Sequence, residues 1–107
     1  MQMELEYVSK ILLIRLNIVN KKVYFKLNNY LINILEKHKI KYVILNINNN
    51  IINELLIESI LNIKNLLDRW DGILYLCEVN NNDLTKLNKL HIKITSSEKT
   101  AFKILEV

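Results

Sequence analysis

The sequence predicts a mixed α/β fold, a small sheet of four to five strands covered by about four helices in the order β-β-α-β-α-β-α-β-α. Three observations carry this. The apolar period switches along the chain from two-residue alternation and short continuous runs to three- and four-residue steps, and back. The run Lys41-Tyr42-Val43-Ile44-Leu45-Asn46-Ile47 is almost continuously apolar, as in a strand covered on both faces of a parallel sheet. Asn48-Asn49-Asn50, Asn80-Asn81-Asn82-Asp83 and the only glycine, Gly72, fall between the periodic segments, where turns belong.

Each element follows from its residues. Met3, Leu5 and Tyr7 alternate with Gln2, Glu4 and Glu6, the pattern of a half-buried strand. Ser9-Lys10 turns it into a second strand, Ile11 to Asn17, apolar on both faces. Tyr24, Leu27, Leu31, Ile34, Leu35 and His38 make one face of a helix over about 21–39. After the central strand, Leu56, Ile60, Ile63, Leu67 and Trp70 mark the clearest helix, with Asn53 placed to cap it. Asp71-Gly72 ends it, and Gly72 fits the left-handed position after a helix. Ile73 to Val79 is a strand. Leu84, Leu87 and Leu90 form a short helix with Asp83 at its start. His91 to Ile94 is the last strand, and Thr95-x-x-Glu98 has the form of a capping box that opens a helix through Ala101, Phe102 and Leu105. Strands alternating with helices imply parallel pairing through right-handed crossovers, and the first hairpin adds one antiparallel pair.

The chain has 107 residues, enough for one domain, 1–107, with one core. Half the residues are hydrophobic and 24% are charged, the balance of a folded globular chain. A single cysteine excludes an internal disulfide framework. The longest aliphatic run, Ile11 to Ile14, is too short to span a membrane, and the acidic start Met1 to Glu6 has no apolar signal core, so a cytoplasmic location is expected. One glycine and no proline exclude glycine-rich phosphate loops. The net charge of +4 comes mostly from lysines scattered among acids, as in Glu36-Lys37; only Arg15 and Arg69 are arginines. That reads as a solvated basic surface rather than a nucleic-acid site, which favours arginine forks with stacking aromatics.

No catalytic constellation is found. His38 sits near a helix end, His91 opens a strand without a partner, and Cys77 lies inside an apolar strand, where cysteine behaves as a small hydrophobe. No two-histidine helix spacing or cysteine pair suggests zinc. A non-enzyme without cofactor, metal or small-molecule substrate is expected.

The element order and several segments resemble the STAS domain, the fold of bacterial anti-sigma factor antagonists. The likeness runs from about Leu5 to Leu105. Lys39 to Ile47 is similar to the family's central strand, which ends in an Asp/Asn-Leu pair. Ile57, Ile60 and Leu61 match apolar positions of the next helix, Gly72 and Tyr75 to Val79 the following strand, and Thr95 to Leu105 the closing segment. The family's Asp-Ser-Ser-Gly-Leu-Gly signature falls on Asn53-Glu54-Leu55-Leu56-Ile57-Glu58, where only the first and fifth positions are chemically similar.

The resemblance implies a bacterial protein-interaction domain whose partner is an anti-sigma factor of the ATPase-fold kinase type, or another STAS-interacting protein. The implied alternatives are a subunit or scaffold of a transport ATPase or stressosome; a basic nucleic-acid-associated protein is a third reading. In regulated members the kinase phosphorylates the second serine of the signature. Leu55 stands there without a hydroxyl, which implies constitutive or differently controlled binding. Glu54 carries a fixed charge near the same helix end and reads as a favourable first-turn acid, the alternative being a mimic of the modified state. Ser59, the nearest hydroxyl on the helix, reads as a small contact residue, the alternative being another phosphosite, and Ser96 and Ser97 read as helix-start residues. The implied partner surface is Asn49, Asn50, Asn53, Glu54, Leu55, Glu58 and Asn62. Leu55 and Leu56 lie about 100° apart on a helix, so one of them is free to act as an apolar anchor.

Overall fold

The computed structural model describes residues 2–106. Strands β1 (Met3–Val8), β2 (Ile11–Leu16), β3 (Tyr42–Asn46), β4 (Ile73–Cys77) and β5 (Lys93–Thr95) form one sheet in sequential order. β1 is antiparallel to β2, and the other neighbours are parallel. The helices are α1 (residues 21–38), α2 (Glu54–Asp68), α3 (Leu84–Lys89, after a 3-10 turn at Asn81–Asp83) and α4 (Glu98–Leu105). Element order and mixed pairing are those the periodicity predicts.

Strand parity makes two cores. Leu12, Ile14, Leu16, Val43, Leu45, Leu74 and Leu76 pack with the buried faces of α1 and α2. Ile11, Leu13, Ile44 and Cys77 point the other way, under Ala101 and Leu105 of α4. β3 is therefore covered on both sides, which its unbroken apolar run requires. β1 is less covered than its alternation predicts. It is the edge strand, and Leu5 and Tyr7 remain 40% and 60% exposed. Ser9 and Lys10, at φ 52° and 69°, make the two-residue turn that matches the twist of a hairpin.

α1 is continuous but not uniform. It is α-helical at Lys21–Phe25 and Ile32–His38 and π-helical at Lys26–Leu31. Its buried residues are Val23, Leu27, Leu31 and Leu35. A strict four-residue repeat drifts about 40° per step around an ideal α-helix. The wider π turn takes up that drift and keeps the four in line. His38 is consequently exposed, and Tyr24 and Ile34 are only half-buried, where the three-and-four spacing puts all three on the core face.

Three terminal signals resolve differently from expectation. Asp71, not Gly72, takes the left-handed conformation, at φ 56°. Gly72 is required for space: a Cβ there would lie 2.6 Å from the Lys41 carbonyl oxygen and 3.1 Å from Leu67 Cβ. The capping box does not form, because β5 runs through Thr95 and α4 starts later. Ser97 is the cap, accepting from the Thr100 amide, and the Thr95 hydroxyl donates to the Ser97 carbonyl. Asp83 precedes α3 but makes no cap bond; its buried carboxylate accepts from the Ile52 amide at 3.2 Å. Trp70, half-buried, ties the end of α2 to that of α1, donating from Nε1 to the Ile40 carbonyl at 2.9 Å beneath the Lys39 ammonium.

Candidate functional site

The residues that the sequence nominates gather at the start of α2 and in the loop leading to it. The loop is held from several sides. Asn48 and Asn49 adopt left-handed backbone, at φ 53° and 57°, which asparagine tolerates well. The Asn46 side chain accepts from the Asn48 amide at 2.8 Å, and the Asn49 amide donates to the Glu78 carbonyl at 2.8 Å. Asn50 turns its carboxamide onto the backbone, donating from Nδ2 to the carbonyls of Leu16 and Ile47. Ile52 is buried; Asp83 takes its amide and Lys86 donates to its carbonyl. A loop fixed at residues 49, 50 and 52 has little freedom left at 51, and Ile51 projects with 78% of its surface exposed.

Asn53 then caps α2. Its Oδ1 accepts from the Leu56 amide and from the Tyr24 hydroxyl, both at 2.9 Å. This pairing joins α1 to the helix start. Leu55 is 54% exposed whereas Leu56 is fully buried, so Leu55 is the free member of the pair. Glu54, Glu58 and Asn62 are exposed along the same helix, and Asn62 donates to Asn28 of α1 at 3.2 Å. Ser59 is buried and donates to the Leu55 carbonyl one turn back, which leaves no accessible hydroxyl there. Val19, Tyr24, Asn49, Asn50, Ile51 and Asn53 line a surface cleft of about 460 Å³. Asn49 also borders a second cleft of about 580 Å³ that reaches Ser96.

Sequence reasoning omits Ile51 and Tyr24. An isolated isoleucine between a polar tract and a helix cap is a signal for the first. The second is a contact across 29 positions, which local pattern does not reveal.

A polar cluster closes the same end of the sheet. Arg15 donates to both carboxylate oxygens of Glu98, and Asn46 Nδ2 donates to Glu98 at 2.6 Å and to Glu78 at 2.7 Å. Arg15 also meets Glu6 at 3.3 Å. The Arg15 hydrogen bonds, helped by Asn46, hold the Glu98 carboxyl below its ordinary range against the opposing effect of burial. Glu98 in turn raises the Arg15 guanidinium. A carboxylate so firmly ionised is a poor proton donor near neutrality. The cluster joins β2, β3 and α4 as a structural tie.

Cys77 is buried on the α4 side, and burial first, then Glu98 and Glu78, pushes its thiol up to about 12. His91 lies at the other end of the sheet. Thr95 is the register partner of Cys77, whereas His91 lies in the left-handed turn before β5, bordering the same cleft as Gly72 and Ile73 at the start of β4. The two form no nucleophile pair. Among the described residues, no group of three histidine, cysteine or acidic side chains is arranged to hold a metal ion, and no helix is long and apolar enough to cross a membrane.

No family model matches the sequence, and no curated protein matches it. Solved structures do match the fold. The anti-sigma factor antagonist SpoIIAA in its unphosphorylated form superimposes with a TM-score of 0.82 at 13% identity, over 98% of this chain and 99% of that one. A candidate anti-sigma factor antagonist from Thermotoga maritima gives 0.85 at 14% identity, over 98% and 95%. RsbS from Moorella thermoacetica gives 0.85 at 9% identity, over 99% and 96%. The match covers nearly the whole of each chain, five-stranded sheet and four helices included: this chain has the STAS fold of the anti-sigma factor antagonists.

Proposed function

We propose that this protein is a non-enzymatic interaction domain that binds an anti-sigma factor of the ATPase-fold kinase type, and that it docks through the start of α2. The observation that carries the reading is the exposure of Leu55 on a capped helix start, four residues after the exposed Ile51 on a pinned loop. Two large apolar side chains held out in water by an ordered backbone lose little conformational freedom on binding, which favours their use as anchors. Asn49, Asn53, Glu54, Glu58 and Asn62 surround them as a polar rim, and Asn50 stiffens the loop from behind.

Leu55 occupies the place where the resemblance puts the phospho-acceptor, and Ser59 is buried, so binding is constitutive rather than switched by phosphate. Glu54 acts as a favourable acid at the positive end of the helix.

Affinity capture from native cells with the wild type and Leu55→Arg, read by mass spectrometry, tests this. The wild type is expected to retain an ATPase-fold kinase and the variant to lose it. Recovery of the same transport ATPase by both proteins, of other STAS proteins by both, or of nothing, overturns the assignment. Robust phosphorylation of the purified wild type by the captured kinase overturns constitutive binding.

A further inference from the structure

The first half of α1 breaks several local rules in one place. Between Glu6 and Glu36 the sequence has no acid, and Lys21, Lys22 and Lys26 put three cations into this half of the helix. Lys21 and Lys22 open the helix, where the dipole favours anions, and no acid sits in that first turn. The Lys26 amide bonds the Lys22 carbonyl, so these two like charges stand four apart on one helix edge, an unfavourable pair. Lys21, Lys22 and Lys26 are all exposed, and none has an ion-pair partner among the described residues.

Aromatic groups share this surface. Phe25 is 67% exposed and Tyr30 58%. Residues five apart lie about 140° around an α-helix. A π turn bonds residue i to i+5, so across Lys26–Leu31 Phe25 and Tyr30 become neighbours one turn apart. Asn29 supports the widened turn by donating from its side chain to the Phe25 carbonyl at 3.0 Å. Two exposed aromatic residues thus stand one turn apart on the helix that carries the three lysines. Helix stability favours neither the charges nor the exposure, and such departures gather where a surface has a task.

We infer that this face of α1 is a docking surface for an anionic lipid bilayer, with the lysines at the headgroup phosphates and Phe25 and Tyr30 seated in the interfacial layer. The occupant follows from charge and shape. The surface is cationic, so its partner is anionic, and two rings standing out from a convex helix suit a soft interface that admits them. Lysines give point-charge attraction without the forked geometry that reads bases. The contact is peripheral and does not depend on the docking role of α2.

Sedimentation with vesicles tests it, using phosphatidylcholine alone and phosphatidylcholine with one-third phosphatidylserine. The wild type is expected to sediment only with the anionic vesicles, less so at high salt. Lys21→Gln/Lys22→Gln/Lys26→Gln is expected to weaken binding about fivefold per lysine, on the order of 100-fold in all. Phe25→Ser/Tyr30→Ser, which keeps the charge, is expected to lose most of the wild-type binding. All five side chains are exposed, and circular dichroism checks that both variants fold. Absence of binding to either vesicle overturns the proposal, as does equal binding by all three proteins. Salt-dependent binding of single-stranded RNA that leaves anionic vesicles unbound overturns it in favour of nucleic acid.

Discussion

Arg15 and Glu98 are 83 positions apart and meet in a two-pronged ion pair, Nε to Oε2 at 2.8 Å and Nη2 to Oε1 at 2.9 Å. The pair links the end of β2 to the first turn of α4, and Asn46 supplies a third hydrogen bond from β3. Since α4 alone covers its side of the sheet, this tie fixes the entry of that helix over Cys77 and Ile44.

The pair makes stability depend on pH. Glu98 has a folded-state pKa below its unfolded value. Such a carboxyl adds stability above the unfolded value and loses it as pH falls through the folded one. Glu98→Gln is expected to cost roughly 1–2 kcal/mol near neutrality, between an exposed and a buried pair. Below about pH 5 the gap between the two proteins is expected to narrow. Urea denaturation near neutrality and at about pH 3 measures it. A gap independent of pH means that the Glu98 charge contributes nothing.

Asp71 and Gly72 separate two reasons for glycine. Gly72→Ala is expected to cost about 2–3 kcal/mol, because the new methyl meets backbone at Lys41. Asp71→Gly relieves a left-handed residue and loses some unfolded-state restriction, so its expected net effect is between zero and about 1 kcal/mol of stabilisation. Thermal melts of the two variants give opposite signs. Equal and small losses would refute the steric account of Gly72.

Cys77 is expected to be inert in the folded protein. With its thiol raised to about 12 and no exposed surface, it holds almost no thiolate near neutrality. A chromogenic disulfide reagent is expected to report no reaction until urea unfolds the chain. Prompt labelling of the folded protein would show that α4 opens readily and would reopen the case for a reactive cysteine.

Much of this fold is legible in the sequence because burial imposes periodicity. The apolar run of β3 and the spacing of Leu56, Ile60, Ile63 and Leu67 each have one reading. The STAS resemblance rests on the same segments. Other features are not legible for definite physical reasons. The face of α1 depends on a π turn, which no side-chain spacing announces when Tyr24 and Val23 are both apolar neighbours. The exposure of Leu5 and Tyr7 depends on how far the helices reach over the edge, a property of the layers rather than of β1. Thr95 and Ser97 both suit a cap, and the length of β5 chooses between them. At the candidate site, Asn53 is readable as a cap, and Leu55 and Leu56 as a pair of which one is free. Which leucine projects, and that Ile51 joins it, are decided by packing.

The strand order has a consequence for how the molecule is made. Each strand pairs only with its neighbours in sequence, from β1 at one edge to β5 at the other. A chain leaving the ribosome can therefore extend its sheet one strand at a time, without a gap held open for a later arrival, which keeps unpaired edges brief. Glu98 is the exception to this succession. It reaches back to Arg15, in the first hairpin of the sheet, so a helix made after all five strands locks the earliest pair, and the second core stays unroofed until that helix has emerged.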